Sequence, residues 1–147
     1  MEKVFNLLSE QLFGVLRREE YLVISFSGEN SQFIRFNNAL VRQTGLVDDA
    51  TIGLKFIANG RTCHGAFTVS GNQNIDFQRG VAEIKRMRKE SEEIPEDPYL
   101  VLPKNLGSSN EIKKSNGLNF DDSVDALTPV MEGVDFVGIW GNGRMYR

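Results

Sequence analysis

The residue types best suited to chemistry are one cysteine, one histidine, several acidic doublets and a pair of arginines. Cys63 and His64 are adjacent, and a thiolate–imidazole dyad needs both side chains within hydrogen-bond reach. In a strand, neighbouring residues point to opposite faces, so the two cannot meet there. The expected roles are a small core residue for Cys63 and an exposed or edge position for His64. A hydrolase built on Cys63 is the competing reading. One His and one Cys also cannot form a conventional structural zinc site. Asp48-Asp49, Glu92-Glu93, Glu96-Asp97 and Asp121-Asp122 fall in expected loops or helix ends, where carboxylates serve solubility and capping. Acid–base catalysis needs opposed groups in a cleft rather than sequence neighbours. Gly138-Ile139-Trp140-Gly141-Asn142-Gly143 has neither the dinucleotide nor the P-loop spacing, and no helix is expected after it. No G-x-S-x-G elbow and no H-E-x-x-H helix occurs. No catalytic and no metal-ligating residue is therefore assigned. Arg35 and Arg42 carry planar guanidinium groups, which make paired hydrogen bonds that Lys cannot, and by themselves they read as ordinary solvent-facing residues of a half-buried sheet.

The elements that position these residues follow from periodicity. Between Glu2 and about Arg18, apolar residues at Val4, Leu7, Leu8, Leu12, Val15 and Leu16 recur at spacings of three and four, which predicts an amphipathic helix. From Glu20 to Ser70 the period drops to two. Tyr21–Phe26 reads as a strand stopped by Ser27-Gly28-Glu29-Asn30. Gln32–Phe36 and Ala39–Thr44 flank Asn37-Asn38, a tight hairpin link, since Asn tolerates positive φ. Arg35 and Arg42 lie on either side of that turn. Val47-Asp48-Asp49-Ala50 reads as a loop into a second hairpin, Thr51–Ile57 and Arg61–Val69, around Asn59-Gly60. Ser70-Gly71-Asn72 breaks the strand and caps a helix whose stripe is Phe77, Val81, Ile84 and Met87. Lys85, Arg86, Arg88 and Lys89 near its end suit the dipole, and Glu90, Glu92 and Glu93 balance them.

Beyond Ile94 the pattern is irregular. Pro95, Pro98 and Pro103 exclude a long helix, and Gly107-Ser108-Ser109-Asn110 reads as an exposed loop. Asp121 or Asp122 is expected to cap a short helix toward Leu127, with Pro129 starting another turn. Asp135–Trp140 reads as a strand, and Gly141-Asn142-Gly143 as a turn into a return strand cut short at Arg147. The fold class is α+β: an antiparallel meander of about five strands against two amphipathic helices, with an irregular C-terminal excursion.

Composition narrows the function. The 147 residues, 40% hydrophobic and 25% charged, suit one globular domain. A net charge of −3 does not describe a nucleic-acid binder. No apolar run approaches the ~20 residues of a spanning helix. No secretory signal is visible, and a lone cysteine fits a reducing compartment, so cytoplasm is the expected location.

Gln32-Phe33-Ile34-Arg35-Phe36-Asn37-Asn38-Ala39-Leu40-Val41-Arg42-Gln43 resembles the opening signature of the TldD/PmbA family, also called modulator of DNA gyrase proteins. Gly53-Leu54-Lys55-Phe56, Asn59-Gly60-Arg61 and Gly65-Ala66-Phe67-Thr68 follow in the family's order, and the likeness runs over about residues 2–90. Asn38 stands where many relatives have Gly. The resemblance implies that residues 1–147 form the noncatalytic amino-terminal domain of a zinc metallopeptidase, with 135–147 approaching a second domain. The zinc, held by a His-Glu-x-x-x-His helix and a later Cys, is expected in that C-terminal domain, and none of those ligands maps onto this sequence. The implied partners are a second family member, in a homo- or heterodimer, and unfolded peptide, toward which Arg35 and Arg42 would face. The alternative is a self-contained module that binds a peptide or partner along an exposed sheet edge.

Overall fold

A computed structural model describes residues 2–102, 107–114 and 117–147. The elements are α1 (Glu2–Phe13), β1 (Glu20–Asn37), β2 (Leu40–Ala58), β3 (Arg61–Thr68), α2 (Gln73–Glu90), α3 (Phe120–Met131) and β4 (Gly138–Tyr146). The strands form one sheet in the order β3-β2-β1-β4. The class is α+β, with four strands in place of five.

Two expected interruptions are continuous strand, which merges the five strands of the expected meander into three, and β4 from the C-terminal stretch makes the fourth. Ser27-Gly28-Glu29-Asn30 lies inside the 18-residue β1, and Val47-Asp48-Asp49-Ala50 inside the 19-residue β2. At Gly28 the missing Cβ makes room for the Phe26 ring, which would lie 2.8 Å from it. This glycine serves packing within an extended strand rather than a turn. Ala50 is buried while Asp48 and Asp49 face solvent.

The first hairpin turns at Asn38-Ala39, one residue later than expected. Both residues take positive φ, 51° and 55°, the pattern of a type I′ turn. Asn37 belongs to β1. The second hairpin turns at Asn59-Gly60 as expected, with φ of 49° and 70°. Its register pairs Lys55 with His64 and Phe56 with Cys63.

The chain divides into two compact units, to each of which β1 and β2 contribute a stretch. The first comprises residues 1–28, 49–104 and 146–147. Its core joins Leu8 and Leu12 of α1, Ile84 and Met87 of α2, Leu22 of β1, Ile52, Leu54 and Phe56 of β2, and Cys63 of β3. The α2 stripe is as expected. That of α1 is rotated: Phe5 joins the core, whereas Val4 and Leu7 are each 45% exposed. α1 stops at Phe13, and the Val15 and Leu16 amides tighten the chain through bonds to the Leu12 and Phe13 carbonyls. Arg17 and Arg18 therefore lie beyond the helix.

The second unit comprises residues 29–48 and 105–145. Its buried centre is Ile34 and Phe36 of β1 with Met131 of α3, joined by Val124, Leu127 and Trp140. Phe36 and Phe136 meet edge to face at 5.8 Å between centroids. The α3 cap is Asn119, whose side chain accepts the Asp122 amide at 2.9 Å, so neither Asp121 nor Asp122 is the cap. Pro129 stays in the last turn rather than opening a new one. The expected turn at Gly141-Asn142-Gly143 is absent: β4 runs straight through it. A Cβ on Gly143 would collide with the Ser31 Cα and the Asn30 carbonyl oxygen. The glycine permits close strand approach instead. Residues 107–110 are exposed and carry no regular structure, and Pro103 lies outside the described residues.

Candidate functional site

The residues singled out on chemical grounds are all located, and the structure separates most of them. Cys63 is buried at 4% exposure while His64 is exposed, on opposite faces of β3. Burial pushes the Cys63 thiol up, with Glu90 adding to the effect and Arg86 opposing it. A thiol both buried and disfavoured as thiolate is a poor nucleophile. The cysteine-hydrolase reading has no support in this geometry.

The carboxylate doublets are exposed, and in the third of them both side chains serve local structure. Glu96 pairs with Arg61 at 3.2 Å. Asp97 accepts the Tyr99 amide and donates its own N–H to the Gly60 carbonyl, both at 2.9 Å. None of the four doublets forms an opposed pair across a cleft. Among the described residues no group of three or more His, Cys, Asp or Glu side chains is placed to hold a metal ion. The basic end of α2 is largely neutralised. Arg86 bridges Glu83 and Glu90 at 2.8 and 2.6 Å, and Arg88 reaches Glu20.

Arg35 and Arg42 behave differently. Strand alternation sends Ile34 and Phe36 inward beneath α3, which leaves Arg35 on the other face. Arg42 lies just past the Asn38-Ala39 turn on β2. Both are exposed, and among the described residues neither side chain has a hydrogen-bond or ion-pair partner. Two unpaired guanidinium groups on one stiff hairpin can grip a carboxylate or a row of carbonyls. This hairpin is the candidate site.

Two pairings with real electrostatic weight escaped sequence reasoning, although Asp76 falls in the first turn of a helix that the sequence predicts. Glu20 and Arg88 form a doubly bonded pair, Nε–Oε1 2.6 Å and Nη2–Oε2 2.8 Å, with side chains only 8% and 14% exposed. The Arg88 hydrogen bond holds the Glu20 carboxyl below its ordinary range, against the cost of burial. The guanidinium also sits 6.0 Å from the centroid of the Phe56 ring. The partners are 68 residues apart in sequence, so no local pattern marks them. The second is Asp76, 1% exposed, whose Oδ1 accepts both the amide and the hydroxyl of Ser70 at 2.8 Å. Ser-x₅-Asp across a helix start was the available signal. Both features hold α2 in place, Arg88 against the start of β1 and Asp76 against the Ser70 that follows β3.

Among the described residues no helix is long and apolar enough to cross a membrane. No protein-family model matches the sequence, and no curated protein matches it. Solved structures do match. TldE from Thermococcus kodakarensis superposes with a TM-score of 0.64 at 14% identity, over 86% of this chain and 28% of that one. A candidate modulator of a DNA gyrase from Thermotoga maritima gives 0.52 at 16% identity, over 82% and 27%. The chain therefore has a fold found within both proteins and spans under a third of the length of each. The names of these neighbours agree with the family that the sequence resembles.

Proposed function

We propose that this chain is the noncatalytic amino-terminal domain of a TldD/PmbA-like zinc metallopeptidase of the cytoplasm. It contributes to dimer assembly and to the space through which unfolded peptide reaches a zinc ion held in a separate C-terminal domain. The observation that carries this reading is the TldE likeness, which takes in most of this chain but little of TldE. In this role the domain supplies surface and charge, not a reacting group. Arg35 and Arg42 orient peptide by binding its carboxylates or backbone carbonyls, where paired hydrogen bonds to a guanidinium are strong.

The codons after Arg147 are the first test. The reading expects them to encode a His-Glu-x-x-x-His segment, and a stop codon there would sink it. The second test uses the longer protein. Arg35→Ala with Arg42→Ala should lower kcat/KM for peptide by roughly a hundredfold or more, since each of the two lost charged hydrogen bonds is worth about 1.5–3 kcal/mol. Zinc content and fold should not change. Cleavage at the wild-type rate would remove both arginines from the site.

A second reading is favoured by one observation: β4 and β3 are edge strands of the sheet. A free edge accepts an added strand, so the chain by itself would bind a peptide or partner. Capture of one defined partner by the purified chain, competed by a peptide of that partner, would favour it over the first reading.

A further inference from the structure

We infer that Arg79 and Arg86 of α2 close the outer edge of β3, and that they keep this strand from pairing with the same strand of a second copy of this chain. The inference goes beyond the readings above: of the two edge strands of the sheet, β3 is not free.

Register decides which backbone groups of β3 face outward. Residues of an antiparallel strand turn their N–H and C=O alternately toward the partner strand and away from it. The Val69 amide donates to the Ala50 carbonyl at 2.8 Å, in line with the pairing of Thr51 with Thr68. Odd-numbered residues of β3 therefore bond to β2, and Thr62, His64, Ala66 and Thr68 turn their groups outward. Such a row is a template for another strand. Two of its four carbonyls are already taken: Arg79 Nη1 donates to the Thr68 carbonyl at 2.8 Å, and Arg86 Nη2 to the His64 carbonyl at 3.0 Å. Just past the strand, the Ser70 amide is taken by Asp76.

Helix and strand match in spacing. Arg79 and Arg86 lie two turns apart on α2, ~10.5 Å along its axis, and His64 and Thr68 are ~13 Å apart along β3. Gly65 clears the way, since a Cβ there would lie 2.6 Å from Glu83 Oε2 and 3.1 Å from Arg86 Nη2. Glu83 and Glu90 both bind Arg86 and hold its guanidinium in that passage. The strand has no protection of its own. Between Thr62 and Val69 there is no Asp, Glu, Lys, Arg or Pro, and an uncharged edge invites pairing. His64, Ala66 and Thr68 are exposed, so the edge is within reach of another molecule. A second copy fits it, because one strand edge can pair with its own equivalent about a two-fold axis. To pair, each copy must release two charged hydrogen bonds, and four guanidinium groups crowd along one seam.

Sedimentation velocity over a concentration series tests this on the 147-residue chain. Both arginines are exposed, so Arg79→Ala with Arg86→Ala should stay folded, as a thermal melt checks. The double variant should self-associate about tenfold or more tightly than wild type, since two carbonyl acceptors per copy are released. Arg79→Ala alone leaves the Arg86 network in place; it should move in the same direction by less, and it decides the case if the double variant unfolds. Adding Ala66→Pro to the double variant should restore wild-type behaviour, because proline replaces an outward N–H and blocks strand addition. Self-association equal to wild type in the arginine variants would overturn the inference, and so would association that survives Ala66→Pro. Either failure leaves the proposed function standing, because the codons after Arg147 test that reading separately.

Discussion

Breaking the Glu20–Arg88 pair is the most informative perturbation of the fold, because structure fixes both its size and its sign. The pair is doubly hydrogen bonded and nearly dry, at 8% and 14% side-chain exposure. It ties the last turns of α2 to the start of β1, and Glu20 Oε2 also accepts the Arg17 amide at 2.8 Å. Removing one partner of a buried pair strands the other charge, at a cost of about 3–5 kcal/mol. Arg88→Met should reach that range, since it leaves the Glu20 carboxylate with one backbone donor. Glu20→Gln should cost less, because the amide oxygen still accepts from the guanidinium. The double replacement Glu20→Leu with Arg88→Met should be roughly neutral, since a hydrophobic pair of similar volume commonly equals a buried ion pair. In urea, with a slope of about 2 kcal/mol/M, a 3 kcal/mol loss moves the midpoint by ~1.5 M. The pH dependence has a definite sign. The folded Glu20 pKa is lowered, chiefly by the Arg88 hydrogen bond. Its stabilisation is therefore complete above the unfolded value near ~4.3 and disappears as pH falls through the folded pKa below it. The gap in midpoint between wild type and Glu20→Gln should narrow across that window. If both single variants shift the midpoint by under ~0.3 M, with no coupling in the double-mutant cycle, the pair is solvated and the reasoning fails.

Two further outcomes test individual elements. Asn72→Ala removes the acceptor for the Asn74 and Ile75 amides, at 3.1 and 3.3 Å; the loss should be about 0.5–2 kcal/mol, seen as a melting temperature several degrees lower and restored by Asn72→Asp. Gly143→Ala should disrupt β4, because its Cβ would meet the backbone of Asn30 and Ser31, whereas Gly141→Ala first meets the Gln32 carbonyl at 3.8 Å and should be tolerated. Hydrogen exchange of the β4 amides distinguishes the two, and equal protection in both variants would contradict the close-approach role of Gly143.

The elements that sequence located correctly are those whose signal is local. Asn72 with the Phe77, Val81, Ile84 and Met87 stripe predicts α2 because cap and period lie within one stretch of chain. Asn59-Gly60 predicts a hairpin because two consecutive positive φ values need such residues. Glycine misled the reading where its reason was tertiary. Gly28 and Gly143 carry the composition of turns, yet one accommodates the Phe26 ring and the other a neighbouring strand. A sequence shows that a side chain is missing at such a position, not whether backbone rotation or a close neighbour requires it. Ala39 is the converse case: it sits at φ 55° with no glycine to announce it. Here Asn38 and hairpin closure impose the turn on a residue that resists it.

The same distinction bears on the candidate site. Charges that the fold uses are recognisable only after folding: Arg61 holds the Ile94 carbonyl, Arg86 the His64 carbonyl, and Arg88 Glu20. Each anchors a helix or loop to a strand distant in sequence, so its partner cannot be read locally. Arg35 and Arg42 were legible for the opposite reason. Their placement depends only on strand alternation and one turn, and a one-residue shift of that turn left both on exposed strand. Strand geometry holds their backbones stiff while their guanidinium groups remain unpaired among the described residues. A side chain so placed adds nothing to stability through a partner of its own, and its replacement by Ala should cost the fold little, within about 0.5 kcal/mol. Any loss of peptide cleavage in the double arginine variant would then report on binding rather than on folding.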